Sequence, residues 1–223
     1  MVAVARHNDR VMTEIQLRAA ICEVGRRLWQ RGLIGSTEGN ISARLSPRQI
    51  LCTPAGVSKG HMKPDDVVVV DLSGKVVKGE APSCEINLHL TVYKNRKDCE
   101  AIVHAHPPVT GGFCLAGEEI PDNLMPEAAV QLGSVAIVPF AMPGTEAVAQ
   151  AVEPFLEDHK TFLLSHHGAL VLGKDLWDAC NRMEALERVA TMLLNAKLLG
   201  GARPIPEDAF DYLLEHALNG RLE

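Results

Sequence analysis

Short apolar segments separated by turn-forming residues recur along this chain, and longer segments with helical spacing lie between them. Short apolar runs bounded by Gly, Pro or Asp are typical of buried strands, whereas apolar residues that recur every three or four positions predict helices. The spacing predicts helices over 11–31, 82–95, 109–115, 143–158, 176–199 and 207–217. It predicts strands over 41–44, 50–53, 67–70, 76–77, 101–103, 135–138, 161–164 and 169–172.

The segment from Val67 to Val77 indicates how the strands pair. Val67–Val70 is followed by the turn Leu72–Lys75 and then by Val76 and Val77, which is the pattern of a β-hairpin. A hairpin requires antiparallel neighbours, and this argues against a simple doubly wound parallel sheet. We therefore expect an α/β fold of α+β type in one domain, residues 1–223, with a central mainly antiparallel or mixed β-sheet flanked by α-helices.

Composition and charge narrow the class of protein. The 223 residues are 47% hydrophobic, which is enough for one sizeable core, and the formal net charge is −6 without a long basic run. This balance argues against a nucleic-acid groove and against a polybasic membrane surface. No stretch resembles a transmembrane span, and residues 1–10 lack the apolar core of a signal peptide. The six cysteines form no CxxC pair, so we expect free thiols in a reducing cytoplasm.

Two of the predicted strands are followed closely by histidines. His104 and His106 follow a short apolar run, and residues two apart in a strand point to the same side, so both imidazoles can face one point. His166 and His167 follow the predicted strand 161–164. If the two strands are neighbours, three imidazoles around an open position describe a catalytic zinc site. Taken alone, two histidines near a strand end are equally consistent with an incidental pair.

Carboxylates and a polar loop could complete such a site. Glu85 and Glu127 are the candidate acids, since a carboxylate beside a metal can move a proton. For Glu85 the alternative is stabilisation of a helix N-terminus. His89 follows Glu85 by one helical turn, and we expect a hydrogen-bonded core residue there rather than a ligand. The loop 35–40 combines glycines, hydroxyls and an amide, which suits an anion such as phosphate, although its composition alone fits a plain turn better.

Five short motifs follow one another along the chain: Gly39-Asn40-Ile41-Ser42, Thr53-Pro54-Ala55-Gly56, Pro82-Ser83-Cys84-Glu85, His104-Ala105-His106-Pro107 and Leu164-Ser165-His166-His167-Gly168. Each motif alone is unspecific, but the ordered combination is specific. In this combination the chain resembles the class II aldolase/adducin-head family, which includes L-fuculose-phosphate aldolase. The resemblance runs from about residue 11 to residue 217 and implies the fold of that family.

The resemblance also implies a set of site residues. His104, His106 and His167 match the zinc ligands, with His167 preferred to His166 because the family's ligand directly precedes a glycine. Glu85 matches the acid/base residue, which in some members also binds the metal. One Zn²⁺ per subunit is implied, with Mn²⁺ or Co²⁺ as alternatives. The implied phosphate-binding positions are Thr37, Asn40, Ala55, Gly56, Ser83 and Cys84, the last in place of a hydroxylic residue.

The implied activity is that of a zinc-dependent class II aldolase. Such an enzyme cleaves a ketose 1-phosphate reversibly to dihydroxyacetone phosphate and an aldehyde, through a metal-stabilised enediolate. The alternative is a sugar-phosphate 4-epimerase, dehydratase or decarboxylase that uses the same metal site. Glu127 is implied as the second acid/base group, or else as part of an interface salt bridge. The assembly of the family implies a homotetramer with active sites between subunits.

Two other classes of function are disfavoured. A non-catalytic interaction module like the adducin head predicts lost metal ligands, yet all the residues that match ligands are present. A metal hydrolase would leave the phosphate-binding motifs unexplained, and the sequence has no HExxH motif. The exact substrate stays open, because L-fuculose-phosphate aldolase has a tyrosine near the position of Met125 and another aromatic residue in its C-terminal tail. The tail of this chain, residues 211–223, has only Tyr212.

Overall fold

The computed structural model of this protein describes residues 12–218. Val11 of the first predicted helix, the segment 1–10 that was compared with signal peptides, and the tail residues 219–223 lie outside the described residues. The helices are α1 (Glu14–Gln30), α2 (Ile86–Asn95), α3 (Pro108–Ala116), α4 (Glu146–Val152), α5 (Leu176–Leu198) and α6 (Glu207–Leu218). The strands are β1 (Asn40–Ser46), β2 (Gln49–Cys52), β3 (Val68–Asp71), β4 (Val76–Lys78), β5 (Ala101–Ala105), β6 (Val135–Val138), β7 (Thr161–Leu164) and β8 (Gly168–Gly173).

The strands form one eight-stranded sheet in the order β4-β3-β2-β1-β5-β8-β7-β6. All neighbouring pairs are antiparallel except β6 and β7, which are parallel. The prediction of a mainly antiparallel, mixed sheet flanked by helices is therefore confirmed. In the centre, β5 pairs with β1 through Asn40 and His104, and with β8 through Ala105 and Ala169. This register brings the end of β5, the start of β1 and the β7–β8 turn to one edge of the sheet.

Helices pack on both faces of the sheet. The core on one face is built with α1, α3 and α5, and the core on the other face is built with α2 and α4. Neighbouring strand residues alternate between these cores, so that Val103 packs on the first face and Ile102 on the second. Burial on both faces is why these strands read as continuous apolar runs in the sequence rather than as alternating patterns.

The first helix differs from its prediction in extent and in the face that it buries. α1 begins at Glu14, after Thr13 and Gln16 form a capping box. The helical spacing of Ile15, Cys22 and Trp29 predicts that one side of the helix is buried, but Ile15 and Trp29 are 78% and 39% exposed. Apolar residues surround much of this helix, and the packing against the sheet and α5 selected the stripe that contains Ile21 and Val24 instead.

The second helix begins later than predicted. α2 starts at Ile86 rather than at Pro82, and Ser83 does not cap it. The residues before it are drawn into extended pairing instead, because the Ser83 N–H donates to the Thr53 carbonyl at 3.1 Å and Pro54 and Pro82 form a β-bridge. As a result Glu85 lies just before the first helical turn, with its side chain free to turn towards the histidines.

The fourth helix is shorter than the predicted range 143–158. α4 begins after Thr145, whose hydroxyl accepts a hydrogen bond from the Ala147 N–H, and it ends at Val152. Pro154 has no N–H to continue the ladder, so the chain continues as a single 3₁₀ turn, Glu153–Phe155.

The state of the cysteines and the apolar character of the helices can be compared with the predictions of free thiols and of no transmembrane span. All six cysteines are free, and five of them are buried, which agrees with the predicted free thiols. Within residues 12–218, no helix is long and apolar enough to cross a membrane.

A carboxylate of α5 holds the start of α3, directly after the histidine motif. Glu187 accepts hydrogen bonds from the N–H groups of Val109 and Thr110 at 2.9 and 2.8 Å, and from the Thr110 hydroxyl at 2.8 Å. We expect Glu187→Ala to lower the free energy of unfolding by about 2 kcal/mol, because it leaves donors at a helix N-terminus unpaired. Urea denaturation of this variant and of the matched Arg188→Ala, which truncates an exposed neighbour, measures the difference. Equal midpoints for the two variants would contradict the expectation.

Candidate metal centre

Three imidazoles converge at the edge of the sheet where β5 ends. His104 is in β5, His106 lies just beyond it, and His167 lies in the turn from β7 to β8. The Nε2 atoms of His104 and His106 are 3.1 Å apart, and one nitrogen of each of the three rings lies within 4.8 Å of the others. The ring centroids are separated by 4.7 to 5.1 Å. The predicted strand before His167, β7, is not a direct neighbour of β5, because β8 lies between them; the turn from β7 to β8 brings His167 to the cluster.

The choice between His166 and His167 is decided by the backbone of the turn. His166 has a φ of 56°, in the left-handed region, and its side chain is exposed. Its ring meets the edge of Phe140 at a centroid distance of 6.1 Å instead of joining the cluster. His167 is therefore the third member of the cluster.

Two glycines make room for the histidines. A Cβ on Gly168 would lie 2.6 Å from the Ala105 carbonyl oxygen and 2.6 Å from Cδ2 of His106. Gly39 has a φ of 71°, and a Cβ there would lie 2.9 Å from the His104 carbonyl oxygen. Both glycines belong to the motifs singled out in the sequence, and both are required by close approach of the backbone to a histidine.

A main-chain contact sets the tautomer of His104. Its Nδ1 lies 2.9 Å from the Ala169 carbonyl oxygen. Because a carbonyl oxygen can only accept, Nδ1 carries a hydrogen and donates it, and Nε2 is the nitrogen that faces the other histidines and Glu85. This arrangement is typical of a histidine that binds a metal through Nε2.

Glu85 joins the cluster as a buried carboxylate. Its Oε2 lies 3.1 Å from Nε2 of His104 and accepts a hydrogen bond from Nδ2 of Asn40 at 2.9 Å. Its Oε1 lies 3.4 Å from Nε2 of His167 and has no hydrogen-bond partner within the described residues. Burial alone would raise the pKa of this carboxyl, but His104, His167 and the Asn40 amide outweigh it and hold the pKa well below its usual range.

The protonation states of His106 and His167 are suitable for binding a metal ion. Burial, reinforced by His104, lowers the pKa of His106 and of His167 to about 4. Their nitrogen lone pairs are therefore free near neutral pH, which is the state that binds a metal. Three imidazoles with a buried, partly unsatisfied carboxylate are a donor set that fits a divalent cation, so this cluster could hold one.

The predicted phosphate-binding residues lie on three adjoining segments near this cluster. The bridge between Pro54 and Pro82 sets the segment with Ala55 and Gly56 beside the segment with Ser83 and Cys84. The third segment is the loop that leads to Asn40, whose amide contacts Glu85. Ser83 is buried, whereas Thr37, Ala55, Gly56 and Cys84 are exposed and so open to a ligand.

One cation of this region was missed by the sequence analysis. Lys59 is only 2% exposed, and its Nζ donates to the Thr37 carbonyl at 2.6 Å. Burial lowers the pKa of this ammonium below its usual value, and Glu38 partly offsets the shift. The available signal was a lone lysine just after the Pro54–Gly56 turn, but its burial depends on contacts with distant segments.

Two other predicted features lie apart from the cluster. Glu127 is exposed and precedes the π-helical turn Ala128–Leu132, and within residues 12–218 no hydrogen bond or ion pair is recorded between it and the histidines. Its role as a second acid/base group stays a prediction. Tyr212 is exposed on α6 and stacks on His216 at a centroid distance of 3.8 Å.

The chain is similar to known proteins in sequence and in structure. The sequence model of the class II aldolase and adducin N-terminal domain matches residues 19–194. The chain is 34% identical to the 3-oxo-tetronate 4-phosphate decarboxylase of Pectobacterium atrosepticum over 185 residues, which cover 81% of this chain and 85% of that protein. It is also 34% identical to the L-fuculose phosphate aldolase of Methanocaldococcus jannaschii over 172 residues, which cover 77% of this chain and 92% of that protein.

The fold of the chain is also similar to that of a solved structure. The crystal structure of YgbL from Klebsiella pneumoniae, to which an aldolase, epimerase or decarboxylase activity is ascribed, superposes with a TM-score of 0.84 at 32% identity. The superposition covers 91% of this chain and 100% of that chain.

Proposed function

Because the chain belongs to the family of class II aldolases and adducin N-terminal domains, we propose that it is a metal-dependent lyase that breaks a carbon–carbon bond in a sugar phosphate. The observation that carries the proposal is the meeting of His104, His106 and His167 with the buried carboxylate of Glu85. The first candidate reaction is decarboxylation of a four-carbon 3-oxo sugar acid 4-phosphate. The second is aldol cleavage of a ketose 1-phosphate. Similarity to relatives of both kinds supports the pair of candidates.

The two candidate reactions share an intermediate and a product. In decarboxylation the C1–C2 bond breaks, carbon dioxide leaves, and the electron pair spreads from C2 to the C3 carbonyl oxygen. In aldol cleavage the C4 hydroxyl loses its proton, the C3–C4 bond breaks, an aldehyde leaves, and the electron pair spreads from C3 to the C2 carbonyl oxygen. Protonation of either enediolate gives dihydroxyacetone phosphate. One site can therefore serve both reactions, and only aldol cleavage needs a second base.

We propose that the three imidazoles hold Zn²⁺, with Mn²⁺ or Co²⁺ as the other candidates. When bound, such a cation supplies Lewis-acid stabilisation of the negative charge that develops on the substrate oxygens. The low pKa of His106 and of His167, about 4, keeps these nitrogens available for it.

Glu85 is the group proposed to move the proton at the enediolate carbon. It is buried beside the histidines, and its buried Oε1 has no hydrogen-bond partner within residues 12–218, so that oxygen keeps its capacity to accept a hydrogen bond. Its low pKa keeps it ionised before the reaction, so the proton that it delivers must first be acquired from the substrate or from solvent.

The phosphate group is proposed to lie against the loop 35–40 and the segments around Gly56 and Ser83. Lys59 supports this placement. Within residues 12–218, its buried ammonium donates one hydrogen bond, to the Thr37 carbonyl, whereas an ammonium carries three N–H donors. A buried ammonium whose hydrogen-bond partner is a neutral carbonyl is electrostatically complementary to a phosphate dianion, although Glu38 also acts on the charge of Lys59.

We expect Lys59→Met to raise KM about 10- to 100-fold, because a charge-assisted contribution of about 1.5–3 kcal/mol to anion binding is lost. The kcat should change much less. Steady-state kinetics and inhibition by inorganic phosphate measure both effects. Lys160→Met, which removes an exposed lysine paired with Asp98, is the matched control and should leave KM unchanged. An unchanged KM and phosphate affinity in Lys59→Met would remove Lys59 from the phosphate site.

The assay for the proposed function uses metal-loaded protein and a panel of substrates. A 3-oxo-tetronate 4-phosphate and several ketose 1-phosphates are offered separately, and dihydroxyacetone phosphate, carbon dioxide and aldehyde are each quantified. We expect equal amounts of dihydroxyacetone phosphate and carbon dioxide from the 3-oxo acid, and no reaction after treatment with a chelator. Aldehyde without carbon dioxide would instead favour aldol cleavage. An isomer of unchanged mass, or loss of water, would overturn carbon–carbon cleavage in favour of an epimerase or dehydratase.

A homotetramer with active sites between subunits is proposed by extension from the family. Phe140, half exposed beside His166, is an apolar side chain of the kind that a neighbouring subunit covers. Light scattering should give four times the mass of the chain, and a monomeric, fully active protein would contradict this assembly.

A further inference from the structure

A row of buried polar side chains leads from Glu85 into the core between the sheet and α2. Nδ2 of Asn40 donates to Oε2 of Glu85 at 2.9 Å, and Oδ1 of Asn40 lies 2.5 Å from Nε2 of His89. Nδ1 of His89 lies 2.6 Å from the Ser42 hydroxyl oxygen, which lies 2.9 Å from the Tyr93 hydroxyl oxygen. Asn40, His89, Ser42 and Tyr93 are all more than nine-tenths buried, and we call these four residues the buried network.

The chemistry of each group fixes the direction of these hydrogen bonds. The Glu85 carboxylate can only accept, so the amide N–H of Asn40 faces it and the amide carbonyl faces His89. That carbonyl can only accept, so Nε2 of His89 carries the hydrogen. Burial lowers the pKa of His89 to about 3, which leaves a neutral ring whose Nδ1 accepts from the Ser42 hydroxyl. The Ser42 oxygen in turn accepts from the Tyr93 hydroxyl. Every donor in the row points towards Glu85.

Tyr93, at the far end of the buried network, requires the same direction of hydrogen bonding. Within residues 12–218, the Ser42 oxygen is the recorded hydrogen-bond partner of the Tyr93 hydroxyl. The Arg44 guanidinium lies over the Tyr93 ring at 4.8 Å, but a cation cannot accept a hydrogen bond. Reversing the row would leave the Tyr93 O–H unpaired in the core, which is costly. The orientation of the Asn40 amide is therefore fixed from both ends.

We propose that the buried network is a one-way row of donors that orients the Glu85 carboxylate for proton transfer. It holds Oε2 through Asn40 and leaves Oε1, the oxygen without a hydrogen-bond partner in the described part of the chain, for the substrate. His89, Ser42 and Tyr93 are positioning residues, because they act on Glu85 through Asn40. The inference rests on the proposed role of Glu85 in the reaction.

The first test removes one hydroxyl from the buried network. Ser42→Ala should lower kcat about 10- to 100-fold, because a misplaced catalytic group loses much of its effect, while KM and metal content stay within about twofold. Thr161→Val is the matched control, since it removes another buried hydroxyl of the same sheet, one that donates to the Leu132 carbonyl at 3.0 Å. Ser42→Ala loses two buried hydrogen bonds and Thr161→Val loses one, so a general loss of stability affects both. Equal kcat values for Ser42→Ala and Thr161→Val would overturn the proposal.

The second test reads the direction of the hydrogen bonds without measuring activity. In ¹⁵N-histidine-labelled, metal-loaded protein, NMR should show His89 with a protonated Nε2 and an unprotonated Nδ1 throughout about pH 5 to 8. The signals of His89 are assigned by their loss in His89→Gln. Ser42→Ala should shift the Nδ1 signal. A hydrogen on Nδ1 in the unmodified protein would overturn the proposal. Failure of every substrate with this tautomer present would refute the proposed function and leave the direction of the buried network standing.

Discussion

Replacing His104 by alanine is expected to remove the bound metal and to lower turnover at least about a thousandfold, because stabilisation of developing charge is usually the largest contribution to such catalysis. His104 is fully buried, contacts both His106 and Glu85, and has its Nδ1 tied to the Ala169 carbonyl. Its Nε2 is thus held in a fixed orientation towards His106 and Glu85. Metal content by mass spectrometry, turnover, and the far-ultraviolet circular dichroism spectrum are the measurements, and the spectrum should be nearly unchanged.

The matched control for His104 is its near neighbour in space, His166. This histidine is exposed and lies outside the cluster. Since its φ of 56° is left-handed, His166→Asn is the suitable variant, because asparagine tolerates that region. It should keep the metal and most of the turnover. A full complement of metal in His104→Ala, or equal loss in both variants, would refute the ligand assignment.

Glu85→Gln is expected to keep the metal and to lower kcat about 10²- to 10⁴-fold, the usual range for removal of a general acid or base. Glutamine has nearly the same shape, and its carbonyl can still accept the hydrogen bond from Asn40, so the loss reflects proton transfer rather than packing. KM should change little. The measurements are kcat, KM and metal content, with isotope incorporation from deuterated water into dihydroxyacetone phosphate as a direct record of the proton step.

Glu100→Gln is the control for Glu85, since it neutralises an exposed carboxylate 3.6 Å from Arg44 that lies outside the site. Its kcat should equal that of the unmodified protein. Near-normal turnover in Glu85→Gln would remove Glu85 from proton transfer, and loss of the metal in that variant would instead make Glu85 an essential ligand.

Most strands and the histidine motifs were predictable because their signals are local. The apolar runs at 67–70, 135–138 and 161–164 are strands within one or two residues, since a strand buried on both faces must be apolar throughout. The spacing of His104 and His106 likewise forces both side chains to one side. Helix limits were less predictable, as α2 shows, because competing extended pairing with the Thr53 segment displaced its start.

The sequence by itself determined the mainly antiparallel sheet, the convergence of His104 with His106, and the family. Only the tertiary structure decided that Lys59 is buried against the loop 35–40 and that the buried network points its donors at Glu85. The physical reason is distance along the chain. Strand patterns and i, i+2 pairs depend on neighbouring residues, whereas these contacts join segments 22 to 51 residues apart and exist only once strand order and register are set.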